Sequence, residues 1–335
     1  MSEAGRILLA ELLERSHCGD YLRRSRSLSG LVVLNYHRIG SAASSPFDHG
    51  LWSATEEDFD QQLAFLKSNF DVISPADLEE AVKYPTNRTV LITFDDGYAD
   101  NYTAAFSSLR RHQLPALFFL STGFLDTPRI SWWDEIAWML RTTSCTSIDA
   151  SPWNLPVVNI DPANPESAIR RFLRLYKQLP GEQSASLLDF LAEVTGVGRA
   201  TPELAQGMWM TWDMVREMQA CGMSIGGHTV NHPILARLSA EQQHFEITHS
   251  CKRIAEELSS PPEFFSYPVG GTTAFNADTF AALEAANIRF AFTYGFGGYV
   301  RPSNLHYEIP RLPVESDLNL NRFRALATLP GLFSS

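Results

Sequence analysis

Several things are scarce in this chain, and each scarcity removes a class of function. Only four of the 335 residues are cysteines, Cys18, Cys145, Cys221 and Cys251. No two form a C-x-x-C pair, which excludes a cysteine zinc site, and scattered thiols suit a reducing, cytoplasmic setting. Positive charge is in deficit, with a formal net charge of −11. Nucleic acids and anionic membranes are bound through positive surface, so no nucleic-acid partner is expected. The basic cluster Arg23, Arg24 and Arg26 reads as a solvated N-terminal segment. No apolar run approaches the ~20 residues of a membrane-spanning helix. The start of the chain, through Leu8, Leu9, Leu12 and Leu13, is interrupted by Glu11 and Glu14 where a secretory leader needs an unbroken apolar stretch. It reads as an amphipathic helix within an extension over residues 1–30. A cytoplasmic location with peripheral membrane association through this helix is the expectation.

What is present is the alternation of an α/β protein. A hydrophobic fraction of 44% and a charged fraction of 19% are ordinary for a globular chain. Short apolar runs at Leu31–Tyr36, Thr89–Phe94, Ala116–Leu120, Met223–Gly226, Phe264–Tyr267 and Phe290–Thr293 read as buried strands. Helical patterns separate them. Phe59, Leu63 and Leu66 share one face, Asn101 to His112 reads as a helix, and Ser239 with Gln242 has the spacing of a capping box. The rhythm breaks over about residues 126–207, a stretch with Trp132, Trp133, Trp138 and several prolines, read as an insertion of helices and loops. A domain over residues 31–325 with this insertion is expected, built on a mainly parallel sheet. In such sheets the chemistry sits at the C-terminal ends of the strands.

The reactive side chains follow that rule. Asp95-Asp96-Gly97 comes after Thr89–Phe94, His228-Thr-Val-Asn-His232 after Met223–Gly226, and Tyr267-Pro-Val-Gly270 after Phe264–Ser266. Two imidazoles four residues apart can reach one cation, and Pro233 disfavours a helix at His232, so the pair belongs to a turn. Adjacent acids on an extended chain point to opposite sides, so one can bind a cation while the other faces the water it activates. An Asp with two His leaves coordination positions open, the arrangement of a catalytic metal. The second Asp is then the general base of a metal-assisted hydrolysis of an amide or ester.

Thr93-Phe-Asp-Asp-Gly97 and His228-Thr-Val-Asn-His232 resemble the motifs of the polysaccharide deacetylases, carbohydrate esterase family 4. Asn35-Tyr-His-Arg-Ile39, Phe118-Phe-Leu120, Met210-Thr-Trp-Asp213 and Ile309-Pro-Arg-Leu312 resemble flanking segments of its exopolysaccharide-associated members, and the likeness spans residues 31–125 and 208–315. The resemblance implies a distorted (β/α) barrel of about seven strands. It implies a divalent metal, most commonly zinc, with cobalt or nickel as alternatives, held by Asp96, His228 and His232. Asp95 matches the base, Thr229 a residue that holds the site, and Ser266-Tyr267-Pro-Val269-Gly270 the segment whose Val269 N–H stabilises the oxyanion. The implied reaction is removal of the N-acetyl group from an N-acetylhexosamine in a saccharide, with an activated water as nucleophile.

Two positions depart from the family. Many members have Arg where this chain has Ser266, and that Arg pairs with the catalytic Asp. Arg311 is expected to supply the charge instead. Members also take a general acid from a late histidine, and Phe290-Ala-Phe-Thr-Tyr-Gly295 carries none. His37, after the first strand, His306, a water and the protonated Asp95 stay open for that role. Trp132, Trp133 and Trp138 suit either a sugar platform or a core. Asp134 and Glu135 read as cap or solvated residues, and the helix at 240–258 as packing alone. An O-acetyl esterase or small-amide hydrolase, a carbohydrate-binding pseudoenzyme and a glycoside hydrolase are the competing functions. The last fits least, because adjacent acids cannot flank a glycosidic bond.

Overall fold

The computed structural model describes residues 3–24, 29–304 and 306–333. Seven strands follow in order: β1 (Gly30–Tyr36), β2 (Arg88–Phe94), β3 (Leu117–Leu120), β4 (Ser224–Gly227), β5 (Phe264–Ser266), β6 (Phe290–Phe296) and β7 (Ile309–Pro313). All pair in parallel in the order β1-β7-β6-β5-β4-β3-β2. β1 then pairs with β2 from Gly30↔Arg88 to Tyr36↔Phe94, which closes the sheet into a barrel. A two-residue strand, Asp71–Val72, pairs with the start of β2.

The strands are apolar on both faces because both faces are covered. Leu31 and Val33 of β1 join Leu91, Phe119, Phe292 and Ile309 in one cluster that fills the barrel. Val32, Leu34 and Tyr36 alternate outward to meet the helices. Among these, α1 (Glu3–Arg15) is N-terminal to the barrel and α2 (Glu56–Asn69) buries Phe59, Leu63 and Leu66 behind a Thr55 N-cap. The capping box of Ser239 and Gln242 starts the helix Ala240–Leu258.

Six strands coincide with the apolar runs of the sequence. β7 does not read as a strand, because Pro310 and Pro313 interrupt it and proline is usually excluded from paired strands. The expected helix over Asn101–His112 is also different in detail. Residues Asn101–Phe106 form a π-helical stretch before the α-helix Ser107–His112. There the Asp100 carboxylate accepts from Arg38 and from the Ile39 N–H, while Asn101 Nδ2 donates to the His37 carbonyl at 2.6 Å. The widened turn ties the end of β1 to the segment after β2.

Between β3 and β4 the chain builds a second apolar core. Helices α3 (Trp132–Thr142), α4 (Glu166–Gln178) and α5 (Gly181–Thr195) pack Ile136, Leu140, Ile169, Phe172, Leu187 and Leu191 together. Tyr98 and Trp209, from segments beside the barrel, enter the same cluster. The Trp132 indole N–H donates to the His232 carbonyl at 3.3 Å, so the layer rests on the C-terminal end of the barrel. The helix Ala240–Leu258 is hereafter α6.

Close packing of β4 makes one glycine obligatory. A Cβ on Gly226 would stand 2.6 Å from the Phe119 ring and 2.8 Å from the Phe264 carbonyl. Gly226→Ala should lower stability by about 1–3 kcal/mol through overpacking. A urea midpoint equal to that of the wild type would contradict this packing.

Candidate metal centre and active site

The site begins where β2 ends. Gly97 N–H donates to the Asp95 carbonyl at 3.0 Å, and Asp96 between them has φ +77°. This is a γ-turn of the rare, strained hand. It sends the two adjacent carboxylates to different partners. Asp95 and Asp96 are both almost fully buried.

Asp96 faces the two histidines. Its Oδ1 lies 3.4 Å from His228 Nε2 and 3.3 Å from His232 Nε2. His228 Nδ1 is 2.7 Å from the Ser266 carbonyl. A carbonyl only accepts, so that nitrogen carries the proton and Nε2 presents its lone pair. Asp96 Oδ1 is buried without a hydrogen-bond partner. The three ligand atoms lie within 4.8 Å of one another. A carboxylate oxygen and two imidazole nitrogens converging in a buried place fit a divalent cation, and three ligands leave positions for water and substrate.

The loop that carries the histidines is held by its own side chains and by α6. His232 and Thr229 both have left-handed backbone, φ +55° and +68°. The His232 N–H donates to Thr229 Oγ1 at 2.9 Å. Glu246 of α6 accepts from the backbone of Val230 at 2.9 Å and of Asn231 at 2.8 Å, and from Asn231 Nδ2 at 2.6 Å. The α6 helix therefore does more than pack: its one buried glutamate with these contacts clamps the turn between the ligands. Only the fold places Glu246 there, since its sequence position on a helix face carries no signal.

Asp95 points the other way. Arg311 of β7 donates to both of its oxygens, each at 2.7 Å, and also to Ser266 Oγ at 2.8 Å. Ser266 Oγ in turn donates to Asp95 Oδ2 at 3.2 Å. The guanidinium is fully buried, and its Nε donates to the Thr293 carbonyl at 2.8 Å. Burial opposes ionisation of Asp95, but Arg311, with His228, outweighs it and brings the carboxyl down to about 2. Asp95 Oδ2 is 4.0 Å from His228 Nε2, which places the second carboxylate beside the three ligands.

These groups open into a cavity of about 260 Å³ that His37, Asp48, Trp132, Trp133, Arg170, Lys177, Tyr267, Val269 and Tyr294 also line. The His37 ring packs near Tyr294, with centroids 5.9 Å apart. Val269 has φ +63°, and its N–H donates to no backbone carbonyl among the described residues. The Tyr267 hydroxyl is turned to the Tyr307 carbonyl at 2.9 Å, so only its ring is offered to the cavity. His306 lines a separate depression with Glu79 and Phe290, away from the ligands.

The tryptophans divide between the two uses open to them. Trp132 and Trp133 border the cavity and Trp138 does not. One face of Trp132 is stacked on Tyr176 at 4.1 Å, and Trp133 meets the His232 ring at 4.3 Å. Asp134 and Glu135 are buried, not solvated. Asp134 accepts from the Tyr98 hydroxyl at 2.7 Å, Ser131 Oγ at 3.0 Å and the Asp48 N–H at 2.9 Å. Burial pushes it up to about 6. A helical pattern of acids could not reveal this, because the partners come from distant segments. Asp48, Arg170, Lys177 and Tyr294 were likewise invisible, since no local motif marks them.

A barrel of this kind, with two acids after one strand and two histidines after another, defines a metal-dependent hydrolase site. The family model described as Polysaccharide deacetylase matches residues 83–156 and 180–291, more than half of the chain. The chain belongs to the polysaccharide deacetylase family. YxkH of Bacillus subtilis (strain 168), which carries a provisional polysaccharide deacetylase name, is 21% identical over 299 residues, 88% of this chain and 75% of its own length. The poly-beta-1,6-N-acetyl-D-glucosamine N-deacetylase of Escherichia coli (strain K12) is 30% identical over 115 residues, which are 32% of this chain and only 17% of that protein. Among solved structures, the Streptococcus pyogenes deacetylase PplD in complex with acetate superposes with a TM-score of 0.59 at 19% identity, over 90% of this chain and 99% of that one. IcaB from Ammonifex degensii gives 0.53 at 19% identity, over 90% and 97%. These two likenesses show that the barrel fold is shared.

The Glu246 clamp has a measurable consequence. Glu246→Ala should weaken divalent-metal affinity about 10- to 100-fold, as loss of an outer-shell support does, and Glu246→Gln should lose less. Titration calorimetry with zinc giving wild-type affinity for Glu246→Ala would contradict the role.

Proposed function

We propose that this chain hydrolyses the N-acetyl group of an N-acetylhexosamine unit in a saccharide, with zinc as its metal and Asp95 as its base. One observation carries the reading. Asp96 Oδ1 sits 3.3–3.4 Å from two imidazole nitrogens while Asp95, free of that cluster, is aimed beside it. Family membership supports the reaction class. The name of the Escherichia coli relative supports an N-acetylglucosamine polymer as the substrate class. Zinc suits a ligand set of one carboxylate and two imidazoles, and cobalt and nickel suit it as well.

When bound, the cation polarises the acetamide carbonyl and makes water acidic enough to be a nucleophile at neutral pH. Asp95 accepts the proton of that water. Arg311 and Ser266 hold its carboxylate in one orientation and keep it ionised at neutral pH, the state a base requires. The Val269 N–H, at the cavity wall and without a backbone acceptor among the described residues, is the donor proposed for the oxyanion, and Thr229 fixes the turn that orients His232. Tyr267 and Trp133 wall the cavity against water. His37, which lines the same cavity, is proposed to protonate the amine as the carbon–nitrogen bond breaks, releasing acetate; the proton that Asp95 has accepted is the alternative source.

A cytoplasmic location is part of the proposal, supported by four unpaired cysteines. So is peripheral membrane association through α1, supported by the exposed Leu8 and Leu12. Recovery of the protein from the periplasm, or no co-sedimentation with liposomes, would overturn these two points.

Acetate release tests the function. Zinc-loaded protein should release acetate from N-acetylglucosamine oligomers and not from acetylated xylan; the reverse preference would make it an O-acetyl esterase. His37→Ala should lower kcat and leave KM little changed, and full turnover in that variant would remove His37 as acid. Arg311→Met tests the base. With Arg311 present the carboxyl is held down to about 2, so in the wild type the acid limb of kcat/KM is set by protonation of the histidine ligands rather than of Asp95. Without the guanidinium, burial loses its main opponent and the Asp95 pKa rises. The acid limb of kcat/KM should therefore move to higher pH, and an unmoved limb would disconnect Arg311 from the base.

A further inference from the structure

The chain is acidic overall, at −11, yet the helix over its active cavity is basic. α4 carries Arg170, Arg171, Arg174 and Lys177 against a single acid, Glu166. Its apolar face, Ile169 and Phe172 among others, is spent on the insertion core. Arg170 and Lys177 lie two turns apart on one side of the helix, with Leu173 between them, and all three line the cavity that holds Asp95, Asp96 and the two histidines. Elsewhere in the insertion Arg141 pairs with Glu166, and Arg199 with Glu135 and Asp189, whereas Arg129, Arg171 and Arg174 form no ion pair among the described residues. No ion pair of Arg170 or Lys177 occurs among the described residues. Asp48, which also lines the cavity, is the acid whose charge reaches Lys177. With Asp95 paired to Arg311 and Asp96 facing the two histidines, Arg170 and Lys177 stand against Asp48 alone among the remaining acids of the lining. α4 also falls in the gap between the two stretches that match the family, residues 83–156 and 180–291.

We propose that Arg170 and Lys177 form an anion-binding subsite at the mouth of the active cavity, which selects acetylated saccharides bearing a carboxylate or phosphate next to the sugar that loses its acetyl group. This rests on the deacetylase reading. A neutral polymer has no group to pair with two cations already gathered at the entrance. An anionic sugar does, and guanidinium and ammonium groups together make charge-assisted hydrogen bonds to either anion. The subsite lies on a segment outside the family match, so it sets which saccharide is used and leaves the chemistry to the barrel.

Matched pairs of probes test it on the full zinc-loaded chain. Hyaluronan tetrasaccharide is compared with N-acetylchitotetraose, and N-acetylglucosamine 1-phosphate with N-acetylglucosamine. Acetate release gives kcat/KM, and tryptophan fluorescence gives affinity without turnover. The anionic member of at least one pair should be favoured about tenfold in both readouts, from one or two charge-assisted hydrogen bonds, and less at high salt. The favoured pair distinguishes carboxylate from phosphate. In R170Q/K177Q the preference should fall to near one. No preference in the wild type, or one that survives R170Q/K177Q, overturns the subsite. Absence of acetate from all four probes overturns the deacetylase reading instead, and the binding readout then decides the subsite alone.

Discussion

Asp95 and Asp96 stand side by side at the end of a buried strand, and two adjacent carboxylates withdrawn from water demand compensation. Each unpaired buried charge would cost several kcal/mol. The barrel resolves the problem asymmetrically. Asp95 is neutralised within the protein, by a guanidinium that is itself fully buried and has no other anion among the described residues. Asp96 is not. Its inner oxygen faces two imidazole nitrogens, one of which has given its proton-bearing side to a backbone carbonyl. That oxygen and the two imidazole nitrogens can together hold a cation supplied from outside the chain. The same asymmetry fits the separate roles proposed for the two acids, one as ligand and the other as base.

Holding that arrangement costs backbone strain. Asp96, Thr229, His232 and Val269 all have left-handed φ angles between +55° and +77°. Non-glycine residues in that region cost on the order of 1–3 kcal/mol each, and such residues survive only where the surroundings over-determine them. Here each strained residue follows a parallel strand of a closed barrel. The loops then receive further bonds, from Glu246 to the histidine turn and from Thr229 to His232. The insertion adds Trp132 against the His232 carbonyl and Trp133 against its ring. The layers around the barrel thus spend contacts on the geometry of a few atoms.

Much of this could be read from residue order, because the physical signals were local. The strands end at Phe94, Gly227 and Ser266, each within one residue of an apolar run read from the sequence, and Asp95 and His228 directly follow the first two. The barrel's seventh strand was hidden by Pro310 and Pro313, although its Arg311 stood out once Ser266 departed from the family pattern. What stayed illegible were pairings across long separations. Glu246 looked like any polar residue of an amphipathic helix, and Asp134 like an exposed first-turn acid. Lys177 carries no signal of its own, since nothing local says that α4 lies over the cavity. Burial of a polar residue is a property of the assembled layers, and periodicity reports only which residues share a face.

The most direct test of this account is the metal content of the purified chain beside that of His228→Ala/His232→Ala, by elemental analysis after equilibration with zinc, cobalt and nickel in turn. If three lone pairs converge on one cation, the wild type retains about one ion per chain and the double variant retains none, with the barrel's circular dichroism unchanged. A wild type that binds no ion, or a double variant that keeps the wild-type stoichiometry, would contradict the metal centre on which the proposed hydrolysis depends.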